Sequence, residues 1–124
     1  MTQKILVVED NINNRLLFRD ILVFHGYEVI EADSGEKGVE LAKTHFPDLI
    51  LMDIQMPFMD GFTAIKILKD DPATKYIKVL ALTSFAMKGD REKIMQAGFD
   101  DYIAKPVNTR MLPEIVRKYA KSRG

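Results

Sequence analysis

Short apolar runs and longer amphipathic stretches alternate along the chain. The runs are Ile5-Leu6-Val7-Val8, Val29-Ile30, Leu49-Ile50-Leu51-Met52, Val79-Leu80-Ala81-Leu82 and Tyr102-Ile103-Ala104. Three of them are continuous rather than alternating, as expected of strands buried on both faces. The stretches between them carry apolar residues at helical spacing. The first predicts a helix from about Ile12 to His25, stopped by Gly26, a usual residue just past a helix end. The second begins after Ser34, a good N-cap although Lys37 rather than an acid follows three residues on, and ends before Pro47. A third spans Phe62 to Lys69, closed by Asp70-Asp71-Pro72. A fourth spans Asp90 to Ala97 before Gly98, and a fifth runs from Thr109 to about Lys121.

Five β-α units in succession imply a parallel sheet with helices on both faces. Right-handed crossovers leave few topologies. The expected fold is α/β, a doubly wound, flavodoxin-like five-stranded parallel sheet in the order 2-1-3-4-5. No repeat, low-complexity stretch or linker interrupts it, so residues 1–124 read as one domain with no output domain.

Composition narrows the function classes. A chain of 124 residues that is 47% hydrophobic and 29% charged buries enough surface to fold without disulfides or a structural metal. It has no cysteine, which excludes thiolate metal sites and a cysteine nucleophile and fits a reducing cytoplasm. Lysine plus arginine and aspartate plus glutamate each number 18, giving no electrostatic case for nucleic acid or an anionic membrane. The basic residues Arg117, Lys118, Lys121 and Arg123 read as a solvated helix face. No signal peptide is legible at Met1-Thr2-Gln3-Lys4, and no apolar run approaches the ~18 residues of a membrane span.

In an open α/β sheet, ligands bind beyond the carboxyl ends of the strands, where strand order reverses. Here those ends carry Glu9-Asp10, Asp53, Thr83-Ser84 and Lys105-Pro106. Three converging carboxylates repel one another unless a cation joins them. An oxygen-only set favours a hard ion, Mg²⁺ or Mn²⁺. Asp10 and Asp53 reach it directly, Glu9 directly or through water, and the backbone carbonyl of Gln55 is a further candidate ligand. A carboxylate so placed is able to attack a phosphoryl group and form an acyl phosphate, with Lys105 and the Thr83 hydroxyl neutralising oxygen charge. A cis bond between Lys105 and Pro106 is compatible with that loop. Singly, each feature has a plain reading: a helix-start acid pair, a polar strand terminus, a turn, an N-cap. It is their placement at successive strand ends that points to chemistry.

The segments Glu9-Asp10-Asn11, Leu51 to Gly61 (LMDIQMPFMDG), Leu82-Thr83-Ser84 and Tyr102-Ile103-Ala104-Lys105-Pro106 resemble the motifs of response-regulator receiver domains. The resemblance covers essentially the whole chain and is closest to single-domain receivers of chemotaxis and cell-cycle control. It implies a phosphoacceptor at Asp53 and Mg²⁺ held by Glu9, Asp10, Asp53 and the Gln55 carbonyl. It further implies Lys105 on the phosphoryl oxygens, Thr83 as switch hydroxyl and Tyr102 as switch aromatic. The implied donor is a phosphohistidine on a sensor histidine kinase or a histidine phosphotransfer protein, and the implied output is a changed helix 4/strand 5/helix 5 surface. The expected protein is cytoplasmic, not an enzyme beyond self-directed phosphoryl transfer and autodephosphorylation, and a monomer or a phosphorylation-linked dimer. Two other classes remain open: a haloacid-dehalogenase-type phosphatase, whose second aspartate is replaced here by Gln55, and a pseudo-receiver that binds partners without phosphorylation.

Three further features have two readings each. Phe85 either restricts water at the phosphoryl site or packs its loop. Leu16 and Phe18 either dock a kinase or phosphotransfer helix or belong to a generously buried first helix. Tyr102 is either the switch aromatic or a half-buried strand residue. His25 and His45 lie near helix ends, away from the acids, and carry no catalytic assignment.

Overall fold

A computed structural model describes residues 2–84 and 88–120. Five strands alternate with five helices: β1 (Lys4–Val8), α1 (Ile12–Phe24), β2 (Glu28–Ala32), α2 (Gly35–His45), β3 (Leu49–Asp53), α3 (Gly61–Asp70), β4 (Lys78–Thr83), α4 (Lys88–Ala97), β5 (Asp101–Ala104) and α5 (Met111–Tyr119). All neighbouring strands pair in parallel, in the order β2-β1-β3-β4-β5. Strand order and class are those the sequence pattern implies.

The two-residue period of a strand sorts the continuous apolar runs into two cores. Leu6, Val8, Ile50, Met52, Val79 and Ala81 face one side, against Val39 and Ala42 of α2, Ala64, Ile65 and Leu68 of α3, and Ile94 of α4. Ile5, Val7, Leu49, Leu51, Leu80 and Leu82 face the other, against Phe18 and Leu22 of α1 and Leu112 and Val116 of α5. Every residue of β3 is buried, as befits the central strand.

Side-chain oxygens fix three helix starts. Asn11 accepts from the Asn14 backbone N–H at 3.0 Å, Ser34 from Lys37 at 3.1 Å, and Asp60 from Thr63 at 2.9 Å, each satisfying an otherwise unpaired first-turn amide. The last helix starts later than Thr109. Asn108 Oδ1 accepts from the amides of Arg110 (3.0 Å) and Met111 (3.2 Å), and this side-chain turn occupies the residues before Met111. The second strand is longer than its apolar pair, because Glu28 and Glu31 take part in an edge strand with a solvated side. The Lys105–Pro106 peptide is cis.

Phe18 does not belong to a free surface. It lies one turn before Leu22 on the face that packs against the sheet, and both are buried. Leu16 is half-buried. The exposed apolar side chains of α1 are instead Ile12, Leu17, Val23 and Phe24. Phe85, Lys121 and Arg123 lie outside the described residues. Among the described residues, no helix is long and apolar enough to cross a membrane.

Candidate functional site: an acid cluster with one lysine

The residues that carry chemistry sit at the carboxyl ends of the strands, Asp53 and Thr83 as last strand residues and Glu9 and Lys105 one step beyond, and the sheet's own hydrogen bonding holds them there. Past β1, the Glu9 amide donates to the Ala32 carbonyl at 3.0 Å. Past β3, the Ile54 amide donates to the Leu82 carbonyl at 3.1 Å, and past β5 the Lys105 amide donates to the Thr83 carbonyl at 2.8 Å. The ladder is thus extended between neighbouring strands, so the side chains of Glu9, Asp53, Thr83 and Lys105 inherit the rigidity of the core.

The loop after Asp53 is drawn tightly back onto the strand end. Gly61 begins α3 so close to it that a Cβ there would lie 2.6 Å from the Ile54 Cα and 2.8 Å from the Asp53 carbonyl oxygen. Only glycine permits that approach. The Asp53 carboxylate is closed on one side by the Gln55 amide, which donates to Oδ1 at 2.8 Å, and on the other by the Lys105 ammonium, which donates to Oδ2 at 2.9 Å.

Glu9 is fully buried and Asp53 is 2% exposed, whereas Asp10 is open to solvent. One carboxylate oxygen from each of Glu9, Asp10 and Asp53 falls within 4.8 Å of the other two. Lys105 also reaches Glu9 Oε1, at 3.4 Å. Burial, followed by the approach of the Asp53 carboxyl, pushes the Glu9 pKa up to about 7, against the opposing pull of Asn14 and Lys105. For Lys105, burial acts downward, but its bonds to Asp53 and Glu9 outweigh it and the net shift is upward. The lysine is therefore an ammonium throughout the neutral range.

Glu9 Oε2 is buried and has no hydrogen-bond partner among the described residues. An unpaired buried carboxylate oxygen is costly. Here it belongs to a set of three hard oxygen donors with an open, solvated side at Asp10. That donor chemistry fits a divalent cation of the Mg²⁺ type, which takes a few carboxylates and keeps several waters.

Of the residues singled out by sequence, Glu9, Asp10, Asp53 and Lys105 form one cluster. Thr83 is buried at the end of β4, beside Leu82, the residue paired with Asp53 across the sheet. Gln55 contributes its amide to Asp53, and its side chain is exposed. Tyr102 stands apart from the acids, paired with Ala81, half-buried against the α2-α3-α4 core, with the Arg91 guanidinium 5.3 Å from its ring centre.

Sequence reasoning missed two residues of the first turn of α1. Asn14 Nδ2 donates to Glu9 Oε1 at 2.9 Å, and Arg15 Nη1 donates to the Glu9 carbonyl at 2.9 Å. Arg15 is itself anchored by Glu31 at 3.1 Å. The available signal was helical geometry: α1 starts just after the acid pair, so its first turn lies over β1's end.

This geometry has relatives. The family model of the response regulator receiver domain matches residues 5–117. The chain belongs to that family. The receiver is 47% identical over 119 residues to the polar-differentiation response regulator DivK of Brucella ovis, a match covering 96% of this chain and 97% of the relative. Among solved structures, it superposes on the receiver domain of the sensor histidine kinase PA1611 of Pseudomonas aeruginosa, which was determined with a magnesium ion coordinated in its active site cleft. That match has a TM-score of 0.90, 35% identity and coverage of 98% of this chain and 100% of the other. The chemotaxis protein CheY4 of Vibrio cholerae also superposes with a TM-score of 0.90, at 27% identity, over 96% of this chain and 99% of the other. Family membership places this receiver among two-component response regulators and removes the dehalogenase-type phosphatase reading.

Proposed function

We propose that this receiver accepts a phosphoryl group on Asp53 from a phosphohistidine of a sensor histidine kinase or a histidine phosphotransfer protein. An Asp53 carboxylate oxygen attacks phosphorus, the P–O bond forms, the P–N bond breaks, and the imidazole leaves as the neutral base after taking up a proton. Hydrolysis of the acyl phosphate returns the carboxylate. The observation that carries the reading is the buried Asp53 carboxylate bound by Lys105 at 2.9 Å beside a second buried acid with an unpartnered oxygen.

Each residue has a task in that reaction. The Gln55 amide and Lys105 hold the carboxylate in one orientation, so little entropy is lost on reaching the reactive geometry. Lys105 then redirects a hydrogen bond of its ammonium to a phosphoryl oxygen, as a point charge that stays protonated because its pKa is shifted upward. Glu9, Asp10, Asp53 and the Gln55 carbonyl are the ligands we assign to Mg²⁺, with Mn²⁺ as a substitute. When bound, that ion supplies neutralisation of the phosphoryl charge. The Thr83 hydroxyl donates to the phosphorylated Asp53, and Tyr102 follows into the space it leaves. That repacking alters the surface of α4, β5 and α5, a coupling of typically about 1–3 kcal/mol that biases a pre-existing equilibrium.

In this reading the receiver acts in the cytoplasm, as a monomer or a phosphorylation-linked dimer, on protein partners rather than nucleic acid or membrane. Its chemistry is confined to its own phosphoryl group. A stand-alone role is supported by the DivK relatives, 97% of whose length the match spans. The test is intact-protein mass spectrometry after incubation with acetyl phosphate and Mg²⁺, then with a phosphohistidine-bearing protein. One added phosphoryl group is expected on the parent and none on Asp53→Asn. No added mass on the parent would favour the pseudo-receiver, and unchanged labelling of Asp53→Asn would move the acceptor elsewhere.

A further inference from the structure

The two oxygens of the Glu9 carboxylate are in unlike positions. Oε1 accepts from Asn14 Nδ2 at 2.9 Å and from Lys105 Nζ at 3.4 Å. Oε2, equally buried, has no partner among the described residues. The terminal torsion of a glutamate is broad, so burial alone leaves the orientation of its carboxylate loosely set. A directional donor on one oxygen sets it. Lys105 is a poor candidate for that task, because its contact with Glu9 is long and its shorter bond, 2.9 Å, goes to Asp53. Asn14 has no such divided duty.

Asn14 is also well held. Its backbone amide donates to the Asn11 cap at 3.0 Å. The next residue, Arg15, grips the Glu9 carbonyl at 2.9 Å and is tied to Glu31 at 3.1 Å. The first turn of α1 therefore fixes both the main chain and the side chain of Glu9.

We propose that Asn14 is a positioning residue: its amide anchors Glu9 Oε1 and thereby presents Oε2 to the divalent cation. The proposal rests on the reading that the three carboxylates hold such a cation. It assigns Asn14 no contact with the ion or with the phosphoryl group. Its importance grows once a phosphoryl group is present, because Lys105 then turns to the phosphoryl oxygens and leaves Asn14 as the donor on Glu9.

The test is Mn²⁺ binding, followed by the electron paramagnetic resonance signal of the free ion, on the full chain without any phosphodonor. Four proteins are compared: the parent, Asn14→Leu, Glu9→Ala and the double variant. Asn14→Leu keeps the side chain's size and removes the amide. The Mn²⁺ dissociation constant is expected to rise roughly tenfold, the lower end for loss of a partner that orients a metal ligand. In the Glu9→Ala background the same substitution is expected to leave the constant unchanged, since there is no carboxylate left to orient. Parent-like binding by Asn14→Leu, or an equal loss with and without Glu9, overturns the proposal. Should Asn14→Leu fail to fold, as judged by urea unfolding with chelator present, Asn14→Ala is read in the same way. Failure of the parent itself to take up Mn²⁺ removes the cation reading and this inference with it, whereas failure of Asn14→Leu alone removes only the inference.

Discussion

Glu9 is the residue in which the site's electrostatics are most concentrated. Its ordinary carboxyl pKa is raised to about 7, first by burial and then by the Asp53 carboxyl beside it. A cation competes with the proton for that carboxylate, so binding weakens as pH falls through the raised value. The Mn²⁺ dissociation constant is expected to be about tenfold larger at pH 6 than at pH 8, the factor given by one proton competing at a site with a pKa near 7. Titration calorimetry at the two pH values measures it, and a constant that does not move would mean Glu9 is ionised at both. The identities of Glu9, Asp10, Asp53 and Lys105 were legible in the chain because each follows an apolar run. The unlike fates of the two Glu9 oxygens were not, since they depend on Asn14 reaching back from α1, a contact that no strand-end rule anticipates.

At the scale of elements, the apolar runs located all five strands, and glycine, proline and capping residues located the helix ends to within a few residues. Apolar spacing alone left open how deeply each helix face is buried and where a side-chain turn delays a helix start. Of the two readings open for Phe18, its burial one turn before Leu22 selects the core residue of a generously buried helix. The start of α5 was shifted by the side-chain turn at Asn108. The β3–α3 connection offers a sharper case, because Gly61 is constrained by contact rather than by torsion. An alanine Cβ would press on the backbone of Asp53 and Ile54 at 2.8 and 2.6 Å, and backbone yields less readily than a side-chain end. Gly61→Ala is expected to cost about 2 kcal/mol of stability, typical of overpacking. It should also slow labelling of Asp53, since the loop carrying the Gln55 amide must shift. Urea unfolding and a time course of phosphoryl incorporation test the two parts; a stable variant that labels normally would show that the loop relaxes freely.

Across the whole molecule, the apolar sheet and the acid cluster at its edge are coupled through stability, because the same strands that form the core bring the carboxylates together. In the cation-free protein, a Glu9 pKa raised from 4.5 to about 7 means that the folded state holds its proton more tightly than the unfolded chain. The stability associated with that proton is fully present below about pH 4.5 and is lost as pH rises through 7. At pH 8, folding must therefore hold ionised Glu9 beside Asp53, with Lys105 shared between them. A cation that binds only the folded state offsets this by mass action. At a concentration roughly a hundredfold above its dissociation constant at pH 8, Mg²⁺ is expected to add about 2.7 kcal/mol to the unfolding free energy. At pH 6, with affinity about tenfold lower, the same concentration adds only about 1.4 kcal/mol. Urea denaturation with and without Mg²⁺ at both pH values gives the four free energies needed. Glu9→Gln, which cannot ionise, should show equal Mg²⁺ gains at the two pH values. A parent whose gain is also equal at both, or is absent, would mean that the acid cluster does not carry the linkage between cation, proton and fold.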